Sequence, residues 1–258
     1  MKNIDNKVSN LLEIMNELRE KCPWDRKQTL DSLKRSTIEE TFELIEAIEI
    51  KDFENIKEEL GDLFLHIVFY SKISSEKKHF DFYDVVDFLI KKLIDRHPHV
   101  FKDVKEISEE QVKINWEKIK LKKNKKGLLS GVPKSMPPIL KAFRVQDKAS
   151  SIGFDWEKVD EVFEKIKEEI HEFNMALKSK NKNQIEEEFG DILFSLINYS
   201  RHLKIDPDFC LNNSTNKFID RFNSFEEMVK NENKNISDLS LNEMNMYWER
   251  VKKLTFRK

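Results

Sequence analysis

The chain has 258 residues and a net charge of −2 from 46 basic and 48 acidic side chains, a balance that excludes bulk affinity for nucleic acid or for a membrane surface. Only five glycines and six prolines interrupt it, so helix should dominate, and the length suits one large domain or two small ones. Two cysteines in dissimilar contexts, Cys22 and Cys210, together with no apolar leader and no stretch of membrane-spanning length, give the expectation of a reduced, cytoplasmic protein.

Apolar periodicity predicts helices near 3–20, 28–50, 53–74, 82–96 and 108–123. The stretch 122–138 then gathers a basic run, two glycines and three prolines, which marks an irregular connection. Helices resume near 139–150, 157–178, 182–204, 207–230 and 237–254. The expected organisation is all-α: an N-terminal repeat over 1–123, a linker over 124–138 and a C-terminal repeat over 139–258.

The repeat is read from acids. Glu39, Glu40, Glu43, Glu59 and Asp62 recur as Glu168, Glu169, Glu172, Glu188 and Asp191, each 129 residues later. Two of the five glycines, Gly61 and Gly190, sit at matching places between the last two acids of each set. Glycine inside a helix costs about 1 kcal/mol relative to alanine. Its presence at both positions predicts a close approach there by another backbone or a ligand. Beyond the acids, Lys92 and Arg96 resemble Lys217 and Arg221, and Trp116 and Lys120 resemble Trp248 and Lys252, four residues apart in each case.

Residues three and four apart share a helix face. A turn near Lys51–Asp52, and another near Lys180, would fold each acidic pair of helices into a hairpin and bring its carboxylates level. Clustered carboxylates without cysteine, and without histidine at matched positions, favour a hard cation, Mg²⁺ first, with Mn²⁺ also compatible. A solvated acidic face is the usual fate of Glu-rich helices, but two copies at one spacing argue for a site. A di-iron centre needs Glu-x-x-His on two helices; Glu168 and His171 have that spacing, whereas the first copy has Phe42 at the histidine position. Lys217 and Arg221 could contact phosphate oxygens. Trp248 could stack on a base, or Trp116 and Trp248 could simply be core.

These motifs resemble the MazG family of all-α nucleoside triphosphate pyrophosphohydrolases, in its full-length, two-repeat form. The resemblance is carried by Glu-Glu-x-x-Glu followed by Glu-x-x-Asp, and by Cys22-Pro-Trp-Asp25, Arg96-His-Pro-His-Val-Phe101, Asn115-Trp-Glu-Lys118 and Gly153-Phe-Asp-Trp156. It implies Mg²⁺-dependent hydrolysis of NTPs and dNTPs to NMP and pyrophosphate, an ATP-binding site, nucleotide-pool housecleaning, and a homodimer whose hairpins pair into four-helix bundles. It implies Glu169, Glu172, Glu188 and Asp191 as metal ligands, with Glu168 beside them to orient or deprotonate water. Lys165, Lys217, Arg221, Trp248 and Lys252 would bind substrate. The N-terminal site would use Glu39, Glu40, Glu43, Glu59, Asp62, Lys92, Arg96, Trp116 and Lys120. Ser36 stands where the second repeat has Lys165, which makes the second repeat the expected main catalytic unit. The alternative is a non-catalytic helical module that binds nucleotides or a protein partner.

Overall fold

The computed structural model describes residues 2–102, 108, 111, 112, 115, 116 and 127–255. Among the described residues every regular element is a helix, and none is long and apolar enough to cross a membrane. The chain divides into two compact units, Met1–Ile107 and Ser108–Lys258.

The first unit contains α1 (Lys2–Lys21), α2 (Lys34–Ile50), α3 (Phe53–Glu76), α4 (Phe82–Arg96) and the single turn α5 (Pro98–Phe101). Helices α2 and α3 form a hairpin. Lys51 ends α2 in the left-handed region at φ 59°, and the Asp52 side chain then accepts from the N–H groups of Glu54 and Asn55, both at 3.2 Å. A left-handed stop followed at once by an N-cap reverses the chain in two residues. Helix α1 lies against α3, and Met15, Leu33, Val68, Phe69, Ile73 and Phe82 form the core. Arg19 ties α1 to Glu76 at 3.0 and 2.6 Å and donates to the Gln28 carbonyl at 3.0 Å, which anchors the segment between α1 and α2. His97 closes α4 through Nδ1, 2.8 Å from the Leu93 carbonyl.

The second unit contains α6 (Pro138–Ser150), α7 (Val159–Ser179), α8 (Lys182–His202), α9 (Pro207–Asn231) and α10 (Leu241–Thr255). Its hairpin, α7–α8, repeats the first: Lys180 is left-handed at φ 57°, and Asn181 caps α8 by accepting from Asn183 N–H at 3.1 Å. Helix α6 lies against α8, while α9 packs on α10 around Phe225, Val229, Tyr247 and Val251.

Three expectations need adjustment. The helix expected from residue 28 begins at Lys34, because Thr29 and Ser32 exchange hydrogen bonds between side chains and main chain (2.9 and 3.1 Å) and hold a turn instead. The last helix starts at Leu241, where Ser240 and Glu243 make reciprocal cap bonds, and a short 3₁₀ turn, Ile236–Asp238, precedes it. Gly61 and Gly190 are helical, but a Cβ at either would meet no described atom within 4 Å, so the expected close approach is not made by any of the described residues. Most of the expected 108–123 helix, including Lys120, lies outside the described residues.

Candidate active site

Each hairpin places two acidic helix segments the same distance from its turn. Glu43 and Glu59 are each eight residues from Lys51; Glu172 and Glu188 are each eight from Lys180. At 1.5 Å per residue all four stand about 12 Å from their turns, so the facing carboxylates meet. Oxygens of Glu40, Glu43 and Glu59 lie within 4.8 Å of one another, and so do those of Glu169, Glu172 and Glu188.

Convergence has an electrostatic cost. Burial, then the neighbouring Asp62 and Glu43, raise the Glu40 carboxyl above its ordinary value. Burial, then Glu43, raise Glu59, which also shares a hydrogen bond with Glu40. One oxygen of Glu59 is buried without a partner among the described residues. Glu188 is likewise raised, by burial and then by Glu172, Asp191 and Glu169. Like charges this close favour protonation or a bound cation. All-oxygen donors suit Mg²⁺ or Mn²⁺, and oxygens around one Mg²⁺ stand at most about 4.2 Å apart, so small side-chain adjustments let each triad fit such an ion. Asp62 and Asp191 flank their triads as charged neighbours rather than joining the sets whose oxygens all lie within 4.8 Å.

The two clusters differ in their cations. Lys165 Nζ bridges Glu168 and Glu169, 2.8 Å from each, and its pKa is raised by the hydrogen bond to Glu168 and then that to Glu169. In the first unit Arg35 pairs with Glu39 at 2.8 Å, and Ser36 stands in the place of Lys165.

The remaining expected residues lie on other helices. Lys92 and Arg96 are on α4, with Lys92 5.8 Å from the Phe88 ring. Trp116 is helical and half-buried. Lys217 and Arg221 are one turn apart on α9, whose main packing partners are α10 and α6. Trp248 packs against Phe218, ring centroids 5.3 Å apart, and Lys252 pairs with Glu249.

Sequence reasoning missed what lies beside the second triad. A cavity of about 730 Å³ is lined by Lys165, Glu169 and Asp191 and continues past Ser195, Asn198 and Arg201, with Gln146 from α6 and Trp156 from the loop before α7. Lys217, Arg221, Trp248 and Lys252 are not among its lining residues. A signal was present in the aligned stretches that follow the two glycines: their apolar pattern agrees, yet Asn198 stands where the first repeat has Phe69, and Ser195 where it has His66.

A family model of the MazG nucleotide pyrophosphohydrolase domain matches residues 28–101 and 157–225. The chain is 43% identical over 247 residues to the nucleoside triphosphate pyrophosphohydrolase/pyrophosphatase MazG of Thermotoga maritima, covering 94% of each. It is 36% identical over 259 residues to the nucleoside triphosphate pyrophosphohydrolase of Escherichia coli, covering 96% of this chain and 98% of that one. A crystal structure of a mazG-related protein from Thermotoga maritima aligns with 43% of this chain and 97% of its own, at 28% identity and a TM-score of 0.39.

Proposed function

Since the chain belongs to the MazG nucleotide pyrophosphohydrolase family, we propose that it hydrolyses nucleoside triphosphates between the α- and β-phosphates, giving NMP and pyrophosphate, as a housecleaning enzyme of the nucleotide pool. The observation that carries this reading is the convergence of three carboxylates in each hairpin, flanked in the second by Asp191 and Lys165.

Glu169, Glu172 and Glu188 would hold Mg²⁺, with Asp191 completing the set. Bound there, the ion would neutralise triphosphate charge and polarise the α-phosphorus. The chain's own part is positioning and electrostatics, since phosphoryl chemistry asks for little covalent participation. Lys165 leaves Glu169 for a phosphate oxygen when the acids gain another cation. Glu168, released with it, orients the attacking water and takes its proton. Lys217 and Arg221 reach the outer phosphates. The second repeat is the main catalytic unit, because only it carries Lys165.

The same reading includes a homodimer. The hairpins expose apolar side chains on helices that already have one partner: Ile38, Phe42 and Phe64 in the first, Ile170, Phe189 and Leu193 in the second. Pairing hairpins across two copies would bury them in four-helix bundles and give the bare surfaces at Gly61 and Gly190 a neighbour.

Purified protein incubated with dATP should release dAMP and pyrophosphate with Mg²⁺ and neither without it. Formation of dADP and orthophosphate would refute the bond assignment. Nucleotide binding without any product would support the non-catalytic alternative.

A further inference from the structure

The first hairpin buries a histidine where the second has a serine. His66 of α3 stands in the position of Ser195 of α8. It is 7% exposed, and its Nδ1 is buried with no hydrogen-bond partner among the described residues. Native proteins seldom leave such an atom unpaired. Ser195 lines the open cavity of the second unit and its side chain offers no nitrogen.

The neighbours of His66 narrow what can satisfy it. Glu59, Asp62, His66 and Tyr70 follow one another at spacings of three and four along one face of α3. The Tyr70 end of this row is closed. Thr37 of α2 donates to the Leu33 carbonyl at 3.0 Å, so the 2.6 Å bond between Thr37 and Tyr70 uses the Tyr70 proton. The His66 and Tyr70 ring centroids are 6.3 Å apart, but Tyr70 has no proton left for the imidazole.

The other end of the row carries charge. Glu40, Glu43 and Glu59 converge there, and Asp62 follows Glu59 one turn nearer to His66. A second buried atom without a partner among the described residues, Glu59 Oε2, lies seven residues from His66, about 10 Å along the helix. Burial lowers the pKa of the His66 ring and outweighs the opposing pull of the Asp62 carboxylate, so the imidazole is neutral at neutral pH and keeps a lone pair for a ligand. Two side chains four apart on one helix face can ligate a single ion, as paired histidines at that spacing bind zinc.

We infer that the first hairpin takes a divalent transition-metal ion in preference to Mg²⁺, with Asp62 and His66 Nδ1 joining its carboxylates as ligands, and that the second hairpin, with Ser195 in that place, does not share this preference. The inference rests on the reading of the acids as metal ligands. Imidazole nitrogen suits transition metals, whereas carboxylates alone suit Mg²⁺. His66 and Asp62 lie outside the set of oxygens already within 4.8 Å of one another, so loading draws both side chains inward.

The test uses Mn²⁺ as the probe on the full-length protein, without nucleotide. Electron spin-echo modulation of the bound ion should show a directly coordinated nitrogen nucleus. His66→Ser, which copies the second repeat, should abolish that signal. In calorimetric titrations it should weaken one class of Mn²⁺ site by about tenfold or more and change Mg²⁺ binding little. A wild-type spectrum without nitrogen modulation, which depends on no variant folding, overturns the proposal. So does a signal that survives His66→Ser or is lost in His171→Ala instead. Mn²⁺ binding without the nitrogen signal removes this inference and keeps the acids as metal ligands; no Mn²⁺ binding at all removes both. Pyrophosphate release from dATP tests the hydrolase reading separately.

Discussion

In the first repeat the space between the preceding helix and the second hairpin helix is filled; in the second it is open. Phe69, 3% exposed, projects from α3 into a core with Met15 of α1, whereas its counterpart Asn198 lines a cavity between α8 and α6. The acids agree throughout and the turns agree to the residue, Lys51 with Lys180 and Asp52 with Asn181. The cations differ: Lys165 bridges Glu168 and Glu169, whereas the first repeat has Ser36 in its place and pairs Arg35 with Glu39. A duplicated acidic hairpin can therefore keep its carboxylates while its neighbourhood is either packed or left open.

The sharpest way to break this contrast is to remove one flanking acid from each repeat. Asp191→Ala should lower pyrophosphate release by about a thousandfold, while Asp62→Ala leaves most of it; equal losses would dissolve the division of labour. Exchanging the filling residues tests the same contrast through stability. Phe69→Asn should destabilise the first unit by about 3–5 kcal/mol in denaturant melts, as truncating a buried aromatic does. Asn198→Phe should occupy the cavity, raise KM and cost far less stability.

Metal dependence sharpens the contrast more gently. Glu40, Glu59 and Glu188 all have raised pKa values, so the folded state holds their protons more tightly than the unfolded chain does. Their contribution to stability is present below the ordinary carboxylate pKa and is lost as pH rises through the raised values. Mg²⁺ should therefore raise the melting temperature by several degrees near pH 8 and little near pH 5, through ligand linkage to the ionised acids. Lys165 already neutralises part of the second cluster, so Lys165→Ala should enlarge the metal-induced shift at high pH. An equal shift at both pH values would show that the triads are not the metal site. The smallest effect concerns the turns. A non-glycine residue in the left-handed region costs about 1–2 kcal/mol, so Lys51→Gly and Lys180→Gly should each stabilise the protein by about 1 kcal/mol or less, after the greater chain entropy of glycine is counted.

The acidic hairpins were legible because they are local. The positions of Glu39 to Asp62 and Glu168 to Asp191 follow from helix rise and a short turn, and both depend on residues adjacent in the chain. Helix ends were less legible where side chains compete with the main chain, as Thr29 and Ser32 do before α2. The cavity beside the second triad was mostly hidden. Lys217, Arg221 and Trp248 were singled out by recurrence and lie on α9 and α10, outside the lining of the cavity. Gln146 carries no motif, and Asn198 is a single departure from an apolar pattern that the two repeats otherwise share.

Periodicity, two rare glycines and a five-acid pattern at an offset of 129 were enough to establish an all-helical duplicated chain, its hairpins and its converging carboxylates. These are short-range consequences of helix geometry, and the linear order of residues contains them. Tertiary packing alone decided that Phe69 fills a space which Asn198 leaves open, and that Gln146 is buried with its carbonyl oxygen unpaired. Both depend on how closely α1 approaches α3 and α6 approaches α8. That distance is set by the volumes of side chains far apart in sequence, which no local spacing encodes.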